Sequence, residues 1–469
     1  MSKGLVAKIS LAVIGFLGSI VFARTLGPVG YGAFSVLVSV ANILDNPVRG
    51  LGTACQKYIA EEGRSDGEIL TIGLVGTTVL GGIVVAGLLI VGPRINYFDI
   101  ENGPYYVAVV FVGLIFFKTL QPMVSGQGKF GTAVFLDSLR SLFTIPLQVA
   151  LVLLGWGVGG MIYGLTAASL LTVPFSLRVL GVRPQLPSKQ TVEDILSYSK
   201  YSISSSFVGS AYGQLDILLL GAVIGSGASG QYRIALQLAL PGALLSMVMG
   251  SGLLAEVSSL ASRGEEVAQQ VTNNVSFTSL FAIPLFFGAL AMPESIIVTV
   301  FGEAYRDAVP LLIGLAVYQI LKTQSVQISS VLEGFGRPDL MLYLSTVTLV
   351  VNLGLGVLLI FQMGALGVVL ATIVAEGTKL VLMTYYARRE IPYNPFPPAI
   401  RYQVVAGVGM FLIIDLLHGF WGVSSWFELL GLVGVGAVLY GLFLVSLSDI
   451  FMDTARTIIS DAQEQYLGR

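Results

Sequence analysis

The sequence predicts an all-α, polytopic membrane protein of about fourteen transmembrane helices, arranged as two pseudo-symmetric six-helix bundles followed by two C-terminal helices. Three observations predict it. Of 469 residues, 55% are hydrophobic and only 11% charged, with a mean hydropathy of +0.84; a soluble domain carries roughly 25% charge. A chain this apolar has lipid as its solvent over most of its length. The apolar runs are long and unbroken, not alternating in segments of roughly ten residues, which excludes a β-barrel. Finally, "FARTLGPVGYGAF" (Phe22 to Phe34) has an echo in "LLGAVIGSGASGQYRIAL" (Leu219 to Leu236).

A spanning helix needs roughly 20 mainly apolar residues. Such runs lie near 5–23, 30–49, 69–92, 104–123, 132–154, 158–178, 199–222, 231–253, 274–300, 309–331, 339–361, 365–386, 402–419 and 428–447. The start, "MSKGLVAKISLAVIGFLGSIVFAR", has the charge and length of a secretory signal. It reads instead as a first span with basic residues ahead of it, because many spans follow. If the N-terminus is inside, the inner connections hold Lys3, Lys8, Lys57, Arg64, Lys129, Arg178, Arg183, Lys189, Lys200, Arg263, Arg337, Arg388, Arg389, Arg401, Arg456 and Arg469. The outer connections hold Arg24, Arg94, Arg306 and Arg233. This positive-inside bias predicts a multi-pass protein of the cell (plasma or inner) membrane with both termini cytoplasmic, and it requires an even number of spans.

The glycine echo orders the spans. Gly32 aligns with Gly230 at an offset of 198, which sets Leu26-Gly27 on Ile224-Gly225 and Phe34 on Tyr232. "GQGK" (Gly126 to Lys129) matches "GFGR" (Gly334 to Arg337) at 208, and "GVGGMI" (Gly157 to Ile162) matches "GALGVV" (Gly364 to Val369) at 207. Three matches in chain order at nearly one offset predict a duplicated six-span unit, parallel in the membrane because six is even. The expected division is 1–180 for the first bundle, 181–198 for a cytoplasmic linker, 199–390 for the second bundle, and 391–469 for two extra spans and a tail. A short amphipathic helix is expected at "TVEDILSYSK" within the longest inner connection.

Ionisable residues inside a bilayer are costly, so each is a functional candidate. Asp45 with Arg49, Asp137 with Arg140, and Glu376 with Lys379 are three or four apart and can neutralise each other on one helix face. Arg24, Lys118, Asp216, Arg233 and Lys322 have no such local partner. Lys118 and Lys322 can also snorkel to the inner interface. Cations facing one cavity suit an anionic headgroup, and guanidinium matches phosphate with two hydrogen bonds.

The absences narrow the class. Net charge is −2, against nucleic-acid binding; Cys55 is the single cysteine and His418 the single histidine, so neither a disulfide nor a zinc cluster can be assembled. "SGQGKF" fails the nucleotide-binding G-x-x-x-x-G-K-[ST] pattern in spacing and final hydroxyl. No cofactor, metal or enzymatic activity is expected. The energy source is then a gradient, the membrane potential or the substrate's own concentration difference.

"FARTLGPVGYGAFSVLVSV", "QLDILLLGAVIGSGASGQYRIA", "FGEAYRDAVPLLIGLAVYQIL" and "NLGLGVLLIFQMGALGVVLATIVAEG" resemble the polysaccharide-biosynthesis branch of the multidrug/oligosaccharidyl-lipid/polysaccharide exporter superfamily. That branch contains the O-antigen-type flippases, and the resemblance covers roughly residues 5–390. It implies a V-shaped pair of bundles working by alternating access. The implied substrate is a polyprenyl (pyro)phosphate-linked oligosaccharide moved from the cytoplasmic to the outer leaflet, for cell-surface polysaccharide or glycoprotein glycan synthesis. It further implies headgroup arginines at Arg24, Arg49 and Arg233; the intramembrane charges add Lys118 and Lys322 as candidate cavity cations. The alternative is a cation-coupled drug or metabolite antiporter of the same superfamily, for which Asp45 and Asp216 are the coupling candidates. The expected partners are the lipid-linked oligosaccharide and the bilayer. The chain is expected to be a monomer, touching glycan-assembly proteins at most.

Overall fold

The computed structural model describes residues 2–61, 63–92, 100–423, 425–448 and 451–452, all helices, turns and connections, with no strand among them. Arg94, Arg456 and Arg469 lie outside the described residues, as does most of the tail. In chain order the helices are α1 (Ser2–Leu44), α2 (Asn46–Ile59), α3 (Asp66–Val91), α4 (Gly103–Gly126), α5 (Phe130–Leu151), α6 (Gly157–Leu180), α7 (Lys189–Val223) and α8 (Ser226–Ala239). They continue as α9 (Leu244–Ser262), α10 (Ala268–Phe277), α11 (Ala282–Ala291), α12 (Pro293–Phe301), α13 (Val309–Gly334), α14 (Pro338–Met363), α15 (Ala365–Glu390), α16 (Pro398–Trp421) and α17 (Trp426–Leu447).

Twelve helical stretches among the described residues are long and apolar enough to cross a membrane. Two of them contain a glycine break. Gly27 (φ 65°, ψ −179°) precedes Pro28 and divides α1 into two helices. Gly155 (φ 88°) and Gly157 (φ 56°) turn the chain between α5 and α6. These left-handed angles favour glycine because a Cβ would clash with the backbone. Counting each broken stretch as two spans gives fourteen among the described residues. The expected second span, 30–49, is interrupted by a turn at Asp45, where α1 ends and helix α2 (Asn46–Ile59) begins.

The chain forms two compact units, Met1–Arg233 and Ile234–Arg469. In the first, α7 packs on α1 and α2. The expected short helix at "TVEDILSYSK" is the opening of α7, capped by Ser188 Oγ accepting from Thr191 N at 3.2 Å. The preceding connection and the first turns of α7 are strapped to the α2–α3 region. Gln185 N donates to Thr71 Oγ1 (3.1 Å), Ser188 N donates to Glu68 (2.9 Å), and Arg64 donates to Asp194 (2.8 Å). That last bond holds the Arg64 guanidinium above its ordinary pKa.

Small residues set the helix crossings, and the same crossings occur in both units. In the first, a Cβ on Gly52 would meet Lys118 O at 2.9 Å; in the second, one on Gly250 would meet Val326 Cγ1 at 2.9 Å. Gly126 lies against Gln56 O (2.6 Å) and Gly334 against Leu254 O (3.4 Å); Gly160 meets Leu151 C (2.9 Å) and Gly367 meets Leu359 C (2.6 Å). Each pair is related by the offsets read from the sequence, 198 for α2 and close to 208 for α4 and α6. Close backbone approach through glycine is how helices associate where lipid removes the hydrophobic drive between them.

The two copies of the opening motif meet each other within the first unit. A Cβ on Gly32 would lie 2.7 Å from Gly230 N, and one on Gly230 would lie 3.0 Å from Gly32 N. Closer still are Ser226 O to the first and Pro28 O to the second. Ser226 stands 198 residues after Pro28, and Gly230 stands 198 after Gly32. The contact is therefore reciprocal, as a local two-fold demands.

Candidate functional site

The site grows from a proline. Pro47 has no N–H, so the Ile43 carbonyl one turn back lacks its helix donor. Asn46 Nδ2 supplies one at 2.7 Å, and the neighbouring carbonyl, Asn42 O, accepts from Asn46 Nδ2 at 3.4 Å and from Ser210 Oγ of α7 at 3.0 Å. The helix thus turns at Asp45, which occupies the N-cap of α2 without capping it. Its carboxylate is released for other work, and it is 0% exposed.

That carboxylate is held by two cations. Oδ1 accepts from Arg49 Nη2 at 3.2 Å, and Oδ2 accepts from Lys118 Nζ of α4. Lys118 Nζ also donates to Asn42 Oδ1 at 2.8 Å. The backbone explains the fit. Pro122 leaves the Lys118 carbonyl without its helix donor, and Gly52 of α2 abuts that carbonyl where a side chain would not fit. Nearby on α5, Arg140 donates to Asp137 at 3.0 Å, and its guanidinium lies 5.1 Å from the Phe117 ring centre.

Arg49, Lys118 and Arg140, with Asp137, Asn42 and Gln121, line a cavity of about 450 Å³ in the first unit. Asp45 lies behind the first two cations. Counting charges, three cations face two carboxylates, leaving one positive charge in excess. These charges are not repeated at the equivalent positions of the second half. By the offsets that relate the glycine crossings, Ala243 stands for Asp45, Met247 for Arg49 and Val326 for Lys118. A packing device of the duplicated unit would recur there, as the glycines do.

The structure gives several of the charges that have no local partner in sequence a partner further away. Lys118, which has no local partner on its own helix, is paired to Asp45 at the turn before α2 and only 20% exposed in its side chain. Asp216 accepts from Tyr232 Oη at 2.5 Å. Arg233 donates to the Tyr31 hydroxyl. Lys322 lies 5.3 Å from the Tyr318 ring centre and feels the Glu376 charge; Glu376 pairs with Lys379 at 3.7 Å. The partners are on other helices or one turn of aromatic spacing away, where charge pairing by sequence does not look.

Two groups of the candidate cations are not brought together. Arg24 and Arg233 are exposed near the glycine crossing. Eighteen residues separate Tyr31 from Arg49 along α1 and α2, roughly 27 Å of helix. Lys322 belongs to the second unit. Arg140, Asn42 and Gln121 were missed as lining residues. Arg140 was assigned wholly to Asp137 by spacing, and an amide inside an apolar run carries no charge to flag it.

Comparison with known proteins agrees with this fold. The family model described as polysaccharide biosynthesis protein matches residues 21–310. The probable low-salt glycan biosynthesis flippase Agl15 of Haloferax volcanii is 28% identical over 390 residues, 82% of this chain and 82% of that protein. The probable flippase AglR of the same organism is 22% identical over 459 residues, 95% of this chain and 96% of its own. Among solved structures, the lipid II flippase MurJ in an inward closed conformation superimposes with a TM-score of 0.81 at 14% identity, covering 97% of this chain and 100% of that one. An inward-facing multidrug MATE transporter of the MOP superfamily gives 0.66 at 17% identity, covering 82% and 98%.

Proposed function

The chain belongs to the polysaccharide biosynthesis protein family, and from that premise we propose that it is a flippase for a polyprenyl (pyro)phosphate-linked oligosaccharide. The substrate moves from the cytoplasmic to the outer leaflet by alternating access. The observation that carries the reading is the cationic cavity of the first unit, Arg49, Lys118 and Arg140 in an otherwise apolar helix bundle. Cations in hydrocarbon are retained where they do something. Arginine offers a phosphate two parallel hydrogen bonds and lysine a point charge, while Asn42 and Gln121 offer donors and acceptors to sugar hydroxyls. The relatives named as flippases support the same class of cargo.

In this reading Arg24 and Arg233 guide the headgroup at the opposite end of the span, and Lys322 serves the second bundle. The duplicated halves are residues 1–180 and 199–390, joined by 181–198 and followed by two extra spans. The chain works as a monomer in the cell membrane with both termini cytoplasmic, and it catalyses no reaction. The antiporter reading is weaker, because the Asp45 carboxylate is held by two side-chain cations and Asp216 is held by Tyr232.

The test is to delete the gene and identify lipid-linked sugars on each leaflet. A lipid-linked oligosaccharide that accumulates on the inner leaflet, and clears when the wild-type gene returns, supports the proposal. Unchanged leaflet distribution and normal surface glycan overturn it.

A further inference from the structure

We propose that Asp45 is a built-in counter-ion that competes with the cargo's phosphate for Arg49 and Lys118, and so limits how tightly the cavity holds an anion. The inference rests on the headgroup reading above and adds a role for a residue that does not line the cavity.

Three observations carry it. Asp45 is 0% exposed, whereas the Arg49 and Lys118 side chains keep 39% and 20% of their surface and both line the cavity. The cations therefore stand between the carboxylate and whatever enters. Each Asp45 oxygen takes one cation, so the same two donors a phosphate would use are engaged when the cavity is empty. And Asp45 does not cap α2, the ordinary task of an aspartate at an N-cap, so its placement serves the pair of cations.

The physical need is plain. Two cations with nothing opposite them are expensive in an apolar bundle, so the empty state requires an anion. A transport site must also release: binding has to be favourable enough to enter and weak enough to leave. A fixed carboxylate behind the cations meets both needs. It neutralises one of the two charges when the site is empty, lowers the attraction felt by an arriving phosphate, and takes the donors back as the cargo departs. Asn42, bonded to Lys118, keeps the ammonium in place during the exchange.

The experiment measures binding of inorganic pyrophosphate to the full chain in nanodiscs, together with surface glycan export in cells. Asp45→Asn is expected to bind pyrophosphate at least about tenfold more tightly than wild type, as removal of a nearby like charge requires. Export by that variant is expected to fall while the amount of folded protein does not. Lys118→Gln should weaken binding, and Asp45→Asn/Lys118→Gln should return towards wild type, because the cluster regains one net positive charge. If Asp45→Asn alone fails to fold, the comparison between Lys118→Gln and the double variant carries the same test, and the double must bind more tightly. Equal or weaker pyrophosphate binding on removal of the carboxylate overturns the inference. The headgroup reading fails separately, if Arg49→Ala binds pyrophosphate as well as wild type or if wild type does not bind it.

Discussion

Gly32→Ala probes the crossing on which the two motif copies meet. An added Cβ would lie 2.7 Å from Gly230 N and closer to Ser226 O. Ordinary contact begins near 3.4 Å, and every obstructing atom is backbone, so no side chain can swing away. Two helices must separate or slide. Overpacking of this kind costs about 1–3 kcal/mol and sometimes more, while Gly to Ala within a helix returns about 1 kcal/mol through propensity. The net loss is then up to about 2 kcal/mol, and more where the backbone resists, at about 2–4 °C of melting temperature per kcal/mol for a unit of this size. Gly227→Ala is the matched control: one turn from Gly230 on the same helix, its Cβ would meet Val29 Cγ2 at 3.6 Å, an ordinary contact. It should keep or slightly raise the melting temperature. The assay is thermal unfolding of the purified protein in detergent, followed by glycan export in cells. Gly230→Ala should resemble Gly32→Ala, since the contact is reciprocal. If Gly32→Ala melts with Gly227→Ala, the crossing is not the tight contact described here.

Two further predictions concern charges. Lys118→Met leaves the buried Asp45 carboxylate with Arg49 alone; the loss should be about 2–3 kcal/mol, below the 3–5 of a fully broken buried pair because one cation remains. Thermal unfolding checks it, and a variant as stable as wild type would mean that Lys118 contributes nothing to holding Asp45. Arg24→Ala and Arg233→Ala should each abolish surface glycan without loss of folded protein in the membrane; normal glycan in both would remove these two arginines from the transport path.

Particular residues show how far the sequence could be read. That the chain is built of long apolar helices was legible, because hydropathy over roughly 20 residues is a local property. So were the paired charges Asp45–Arg49, Asp137–Arg140 and Glu376–Lys379, which one helix brings together at 3.2, 3.0 and 3.7 Å. The glycine echoes were legible as a pattern, but their use was not: Gly32 and Gly230 mark places of equal role, and nothing in their spacing says that they touch. The partner of Lys118 was not legible, because it lies 73 residues away on another helix. Arg140 was counted as spent on Asp137, although its side chain also lines the cavity.

By itself, then, the amino-acid order determined the apolar character, the helical class, the long apolar runs and the periodic return of small residues, all of which follow from composition and short-range spacing. Only the tertiary structure decided which charges meet and where the cavity lies. Those depend on how each helix is rotated about its axis and how closely its backbone approaches the next, and both are settled by packing at residues such as Gly52, Pro47 and Pro122 acting together.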